Sequence, residues 1–141
     1  MQDASARTRV FCVDDNAAVL DALRVHIGLS PRLEWAGSLP SADGLLEAVR
    51  DDCPDVIVLD IDMPGLDPFV ALAGVVGQCP NTRVIVFSGH VRQPLVDRSI
   101  EAGAWGYVAK DDGAPALMDA VARTVAGEFA LSPGVQAALR I

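Results

Sequence analysis

Four short stretches, residues 9–13, 56–59, 83–87 and 105–108, are nearly unbroken apolar runs rich in β-branched and aromatic side chains. A strand with one wet face alternates apolar and polar residues, whereas a strand covered on both faces does not. Continuous runs of this length therefore indicate a buried parallel sheet with helices on both sides. Residues 33–36 form a weaker fifth run.

The intervening segments have helical length and period. Residues 16–29 place Val19, Leu20, Leu23 and Ile27 on one face, 41–49 do the same with Leu45, Leu46 and Val49, and 68–76, 94–102 and 114–126 continue the pattern. Asp67 before Pro68, Ser41 before Gly44, and Gly127 after the last segment supply helix start and stop signals. Five strands alternating with five helices predict an α/β domain: a five-stranded parallel sheet, doubly wound, with right-handed crossovers. The expected strand order is 2-1-3-4-5, the flavodoxin-like arrangement. This domain spans residues 8–127. Residues 128–141 break the alternation, and Leu131-Ser132-Pro133 followed by Val135, Ala138 and Leu139 predicts a short appended helix or the start of a linker.

Composition narrows the function. Hydrophobic residues make up 51% of the 141, enough for a core, although with 5% aromatics that core must be aliphatic. Lys+Arg total 11 against 19 Asp+Glu, a net charge of −8, the wrong sign for releasing counterions from nucleic-acid phosphates. No nucleic-acid binding by this chain is expected. No apolar run is long enough for a membrane span and no signal-peptide pattern is present, so the expectation is a soluble cytoplasmic protein. The three cysteines, Cys12, Cys53 and Cys79, are odd in number and lack a C-x-x-C pair, which predicts reduced, buried thiols.

The polar residues at the carboxyl ends of the strands carry the chemistry, because open parallel sheets bind ligands along that edge. The first strand ends in Asp14-Asp15, the third in Asp60 with Asp62 close behind, the fourth in Ser88-Gly89, and the fifth in Lys110, the only lysine. Asp and Ser at such turns also serve as helix caps. In the expected strand order, however, Asp15 and Asp60 face each other, and two carboxylates about 4 Å apart repel by roughly 4 kcal/mol at an effective dielectric near 20. A cation is required among them. Hard oxygen donors without imidazole or thiolate select Mg²⁺ or Mn²⁺. A carboxylate, a divalent cation, a lysine and a hydroxyl are the parts needed for Asp60 to accept a phosphoryl group.

The motifs Val13-Asp14-Asp15-Asn16, Val58-Leu59-Asp60-Ile61-Asp62-Met63-Pro64-Gly65, Phe87-Ser88-Gly89 and Ala102-Gly103-Ala104-Trp105-Gly106-Tyr107-Val108-Ala109-Lys110 resemble, in order, those of bacterial response regulator receiver domains. The resemblance covers roughly residues 8–127 and is strongest to the NarL/LuxR type. It implies that Asp60 is the phosphoacceptor, that Asp15 binds Mg²⁺ directly and Asp14 through water, and that the Asp62 backbone carbonyl completes the metal shell. It further implies that Ser88 and Lys110 bind the phosphoryl group and that Tyr107 is an aromatic switch turning inward as Ser88 moves. The implied partners are a histidine kinase or phosphotransfer protein, with homodimerisation possible and transcription as an output through a further domain.

Three positions depart from the common receiver pattern. Asp111 stands where a proline often follows the lysine, so a trans peptide is expected there. Asp62 adds a carboxylate beside the metal, and His90, two residues after Ser88, sits where receivers adjust phosphoryl lifetime. Two other functions compete. One is a receiver-like interaction module regulated without phosphorylation. The other is a haloacid-dehalogenase-like phosphohydrolase, in which Asp62 of Asp60-Ile61-Asp62 is the general acid.

Overall fold

A computed structural model describes residues 6–141. The strands are β1 (Thr8–Val13), β2 (Leu33–Leu39), β3 (Val56–Leu59), β4 (Arg83–Ser88), β5 (Gly106–Ala109) and β6 (Ala130–Leu131). The helices are α1 (Ala17–Leu29), α2 (Leu45–Val49), α3 (Pro68–Gln78), α4 (Gln93–Glu101), α5 (Gly113–Val125) and α6 (Pro133–Leu139), with a 3-10 turn at Lys110–Asp112 before α5. All strand pairs are parallel, in the order β2-β1-β3-β4-β5-β6.

The unbroken apolar runs have the expected cause, since alternate residues feed two separate cores. Phe11, Val13, Ile57, Leu59, Val84 and Val86 point to one face and pack with Leu45 and Val49 of α2, Leu72 and Val75 of α3, and Val96 of α4. Val10, Cys12, Val56, Val58, Ile85, Phe87 and Val108 point to the other and pack with Leu23 and Ile27 of α1 and Leu117 and Val121 of α5. The Asn16 side chain accepts from the Ala18 and Val19 amides at the start of α1, and Asp67 caps α3 through the Phe69 amide with Pro68 in the first turn. Among the described residues, no helix is long and apolar enough to cross a membrane.

The expected five strands become six. Residues 130–131 leave too short a pattern to signal a strand, but they pair with Gly106 and Tyr107 at what would otherwise be the open edge of β5. Gly106 permits this approach, because a Cβ there would lie 3.0 Å from the Ala130 carbonyl oxygen. The appended helix forms as α6, and Val135 is fully buried beside Val96, Tyr107 and Ala109. Ser132 does not cap α6 with its side chain. Its hydroxyl accepts from the Ala109 amide at 2.9 Å, pinning the tail to the end of β5.

The cysteine expectation is overturned for two of the three residues. Cys53 and Cys79 form a disulfide, while Cys12 is free and buried. Cysteine count and spacing do not reveal what a crossover brings together. The chain rises along β3 and returns down α3, so the residue capping α3 comes back beside the loop that precedes β3. Among the described residues every peptide bond is trans, including Lys110–Asp111.

Candidate functional site

The site is built at the carboxyl edge of the sheet by the turns that follow β1, β3, β4 and β5. Asp14 and Asp60 have the same local architecture. Asp14 Oδ1 accepts from the Asn16 amide and Asp60 Oδ1 from the Asp62 amide, both at 2.9 Å. Each aspartate thus tightens its own turn with one oxygen and leaves the other for the site. The Asp60 amide also extends the sheet pairing to the Val13 carbonyl, which draws the two turns together.

Both side chains are almost fully buried, whereas Asp15 is exposed. Carboxylate oxygens of Asp14, Asp15 and Asp60 all lie within 4.8 Å of one another. Lys110 Nζ sits 2.9 Å from Asp14 Oδ2 and 3.3 Å from Asp60 Oδ2, providing the fixed cation the acidic crowding calls for. Burial pushes the Asp60 carboxyl above its ordinary range and Asp14 adds to the rise, against the lowering effect of the Asp62 amide and Lys110. Burial alone would lower the Lys110 ammonium, but its hydrogen bond to Asp14 and the charges of Asp60 and Asp14 leave it raised. The lysine therefore stays charged at neutral pH.

These oxygen donors fit a hard divalent cation such as Mg²⁺, since no thiolate or imidazole belongs to the cluster. Asp14, Asp15 and Asp60 could hold it. With a cation bound, the site would have positive charge on two sides of Asp60, a suitable setting for a carboxylate that attacks phosphorus.

A second group of side chains lies beside this cluster. Ser88, fully buried, donates from Oγ to Asp62 Oδ2 at 2.9 Å or to the His90 carbonyl at 3.1 Å, and accepts from the His90 amide at 3.0 Å. His90 Nδ1 lies 3.2 Å from the same Asp62 oxygen. Tyr107 is buried, and its hydroxyl donates to the His90 carbonyl. Burial also raises its phenol above the usual range.

The residues singled out from sequence therefore divide into two linked groups, Asp14, Asp15, Asp60 and Lys110 in one and Asp62, Ser88, His90 and Tyr107 in the other. The sequence reading identified every member but missed the link from Asp62 to Ser88. As expected from the sequence, the Asp15 and Asp60 carboxylates come within 4.8 Å of each other, and Lys110 bridges Asp14 and Asp60. Tyr107 is already inward while Ser88 is engaged with Asp62.

A family model described as the response regulator receiver domain matches residues 10–122. The transcriptional regulatory protein MctR of Rhizobium johnstonii is 31% identical over 133 residues, an alignment spanning 94% of this chain and 62% of that protein. A protein-glutamate methylesterase/protein-glutamine glutaminase of Cereibacter sphaeroides is 38% identical over 110 residues, covering 76% of this chain and 29% of that protein. The chain thus spans about three-fifths or less of these relatives. The crystal structure of a LuxR-family two-component response regulator from Aurantimonas sp. SI85-9A1 superposes with a TM-score of 0.87 at 27% identity, covering 96% of each chain. With the family model matching most of its length and the ordered acidic, hydroxyl and lysine positions assembled at one sheet edge, the chain belongs to the response regulator receiver family.

Proposed function

We propose that this chain is a phosphorylation-controlled switch in which Asp60 accepts a phosphoryl group from a phosphohistidine of a kinase or phosphotransfer protein. The observation that carries this reading is the buried Asp60 carboxylate held between Lys110 and the Asp14–Asp15 pair. In the transfer, an Asp60 oxygen forms a bond to phosphorus as the phosphorus–nitrogen bond breaks, and the electron pair leaves with the imidazole. Mg²⁺ held by Asp15, Asp14 and Asp60, with the Asp62 carbonyl, would neutralise charge on the transferring oxygens. Lys110 would exchange its contact with Asp60 for one with a phosphoryl oxygen, and Ser88 would donate to another. Water attack on the acyl phosphate would later release inorganic phosphate and restore the carboxylate, with Asp62 and His90 placed to tune that lifetime.

Residues 8–127 would form the receiver unit, with 128–141 as an appended element tied to the switch strand. We infer a cytoplasmic setting and an effect on partner or homodimer affinity. Transcription is the favoured output, through a further domain or a partner, since MctR is a transcriptional regulatory protein. The test is incubation of the full chain with a small-molecule phosphodonor and Mg²⁺. A gain of one phosphoryl mass that chelation prevents is expected, and absence of that gain, or its persistence in Asp60→Ala, overturns the reading.

A second reading, regulation by a partner without phosphorylation, is favoured by the inward Tyr107, which its hydrogen bond to the His90 carbonyl already holds. Output unchanged in Asp60→Asn would select it. The phosphohydrolase alternative needs Asp62 free as a general acid, but its carboxylate is engaged with Ser88 and lies beside His90.

A further inference from the structure

The Ser88 hydroxyl carries one proton and so donates to one acceptor at a time. Its acceptors are Asp62 Oδ2 at 2.9 Å and the His90 carbonyl at 3.1 Å, and the second is already served by Tyr107. A bond to an ionised oxygen is stronger than one to a neutral carbonyl, so Asp62 is the favoured recipient. The His90 amide returns a bond to Ser88 Oγ, fixing the hydroxyl toward the loop that follows β4. Asp62 is itself positioned from the cluster side, because its amide donates to Asp60 Oδ1 while its carboxylate turns the other way.

We propose that the Asp62 carboxylate is a latch on Ser88, competing with a phosphoryl group on Asp60 for the single hydroxyl proton and so setting how readily the site closes around that group. The inference rests on the phosphoacceptor reading above and makes Asp62 a positioning residue acting through Ser88. For Ser88 to donate to a phosphoryl oxygen it must first leave Asp62, and the lost bond is subtracted from the affinity. The latch therefore weakens the response to weak phosphodonors. Because the His90 carbonyl holds Tyr107 by a separate bond, opening the latch does not require Tyr107 to move.

The probe is beryllofluoride with Mg²⁺, an analogue of the phosphoryl group, titrated calorimetrically into the full chain at one fixed pH. Four proteins are compared: the parent, Asp62→Ala, Ser88→Ala and the double variant, each checked for folding by circular dichroism. Removing Asp62 also removes a negative charge near the anion, an effect present with or without the hydroxyl. The latch adds a part that exists only when Ser88 is present. Asp62→Ala is thus expected to tighten binding about tenfold more in the Ser88 background than in the Ser88→Ala background. Equal tightening in both backgrounds overturns the latch and leaves the phosphoacceptor reading standing. Absence of beryllofluoride binding by the folded parent overturns both. A second measurement needs no variant: in a structure of the parent bound to Mg²⁺ and beryllofluoride, the Ser88 hydroxyl must have moved from Asp62 to the fluoride. If it still donates to Asp62, the proposal fails.

Discussion

The Cys53–Cys79 bond closes a loop of 26 residues in sequence that contains β3, Asp60, Asp62 and α3. Cross-linking ends that far apart removes loop-closure entropy from the unfolded chain, which corresponds to about 3.5 kcal/mol at 25 °C. For a chain of this length the entropy of unfolding is roughly 0.3 kcal/mol per kelvin, so opening the bond lowers the melting temperature by about 12 °C. Cys53→Ser is the better perturbation, because Cys53 is exposed while Cys79 is packed into the core and its loss would add a cavity. Scanning calorimetry should show the drop in Cys53→Ser and an equal one in the parent with a phosphine reductant, which should leave the variant unchanged. Alkylation of the denatured, unreduced parent should label Cys12 alone. A shift below about 3 °C, or labelling of all three cysteines, would refute the reasoning. In a reducing compartment the same bond opens, so stability there should match the reduced melt.

Lys110→Met should destabilise the ligand-free protein by about 3 kcal/mol in urea titrations, because Asp14 and Asp60 are left buried without their counter-ion. Added Mg²⁺ should restore more of that loss than it adds to the parent; equal gains would count against the cluster as the cation site. Burial pushes the Cys12 thiol up to about 12, with Asp14 adding to the rise, so native protein at pH 8 should resist alkylation of this residue and react there only on unfolding. Ser132→Ala removes the acceptor for the buried Ala109 amide and should cost about 1–2 kcal/mol by urea titration. A change near zero would mean the tail does not stabilise β5.

The inner strands were legible because helices cover both their faces, so hydrophobic selection acts on every residue. The edge strand β2 extends to Leu39, beyond the expected 33–36, because its half-buried Gly37 and exposed Ser38 carry no apolar signal. β6 exists only through the approach of the tail to Gly106, a tertiary fact with no local period. The Asp14, Asp15, Asp60, Ser88 and Lys110 positions were readable because strand ends alone place them on one edge. Which carboxylate Lys110 selects, and the path by which Asp62 reaches Ser88, depend on loop geometry that spacing does not encode. The disulfide was hidden for a similar reason, since its partners meet only after α3 has run back along the sheet.

Phosphorylation should fall on Asp60, and chemical localisation tests this most directly. The full chain is treated with a phosphodonor and Mg²⁺, the acyl phosphate is trapped by borohydride reduction, and the modified residue is read by peptide mass spectrometry. Reduction products at residue 60 alone, absent when Mg²⁺ is chelated, are the expected result. Modification at Asp14, Asp15 or Asp62 instead, or none with Mg²⁺ present, would contradict it.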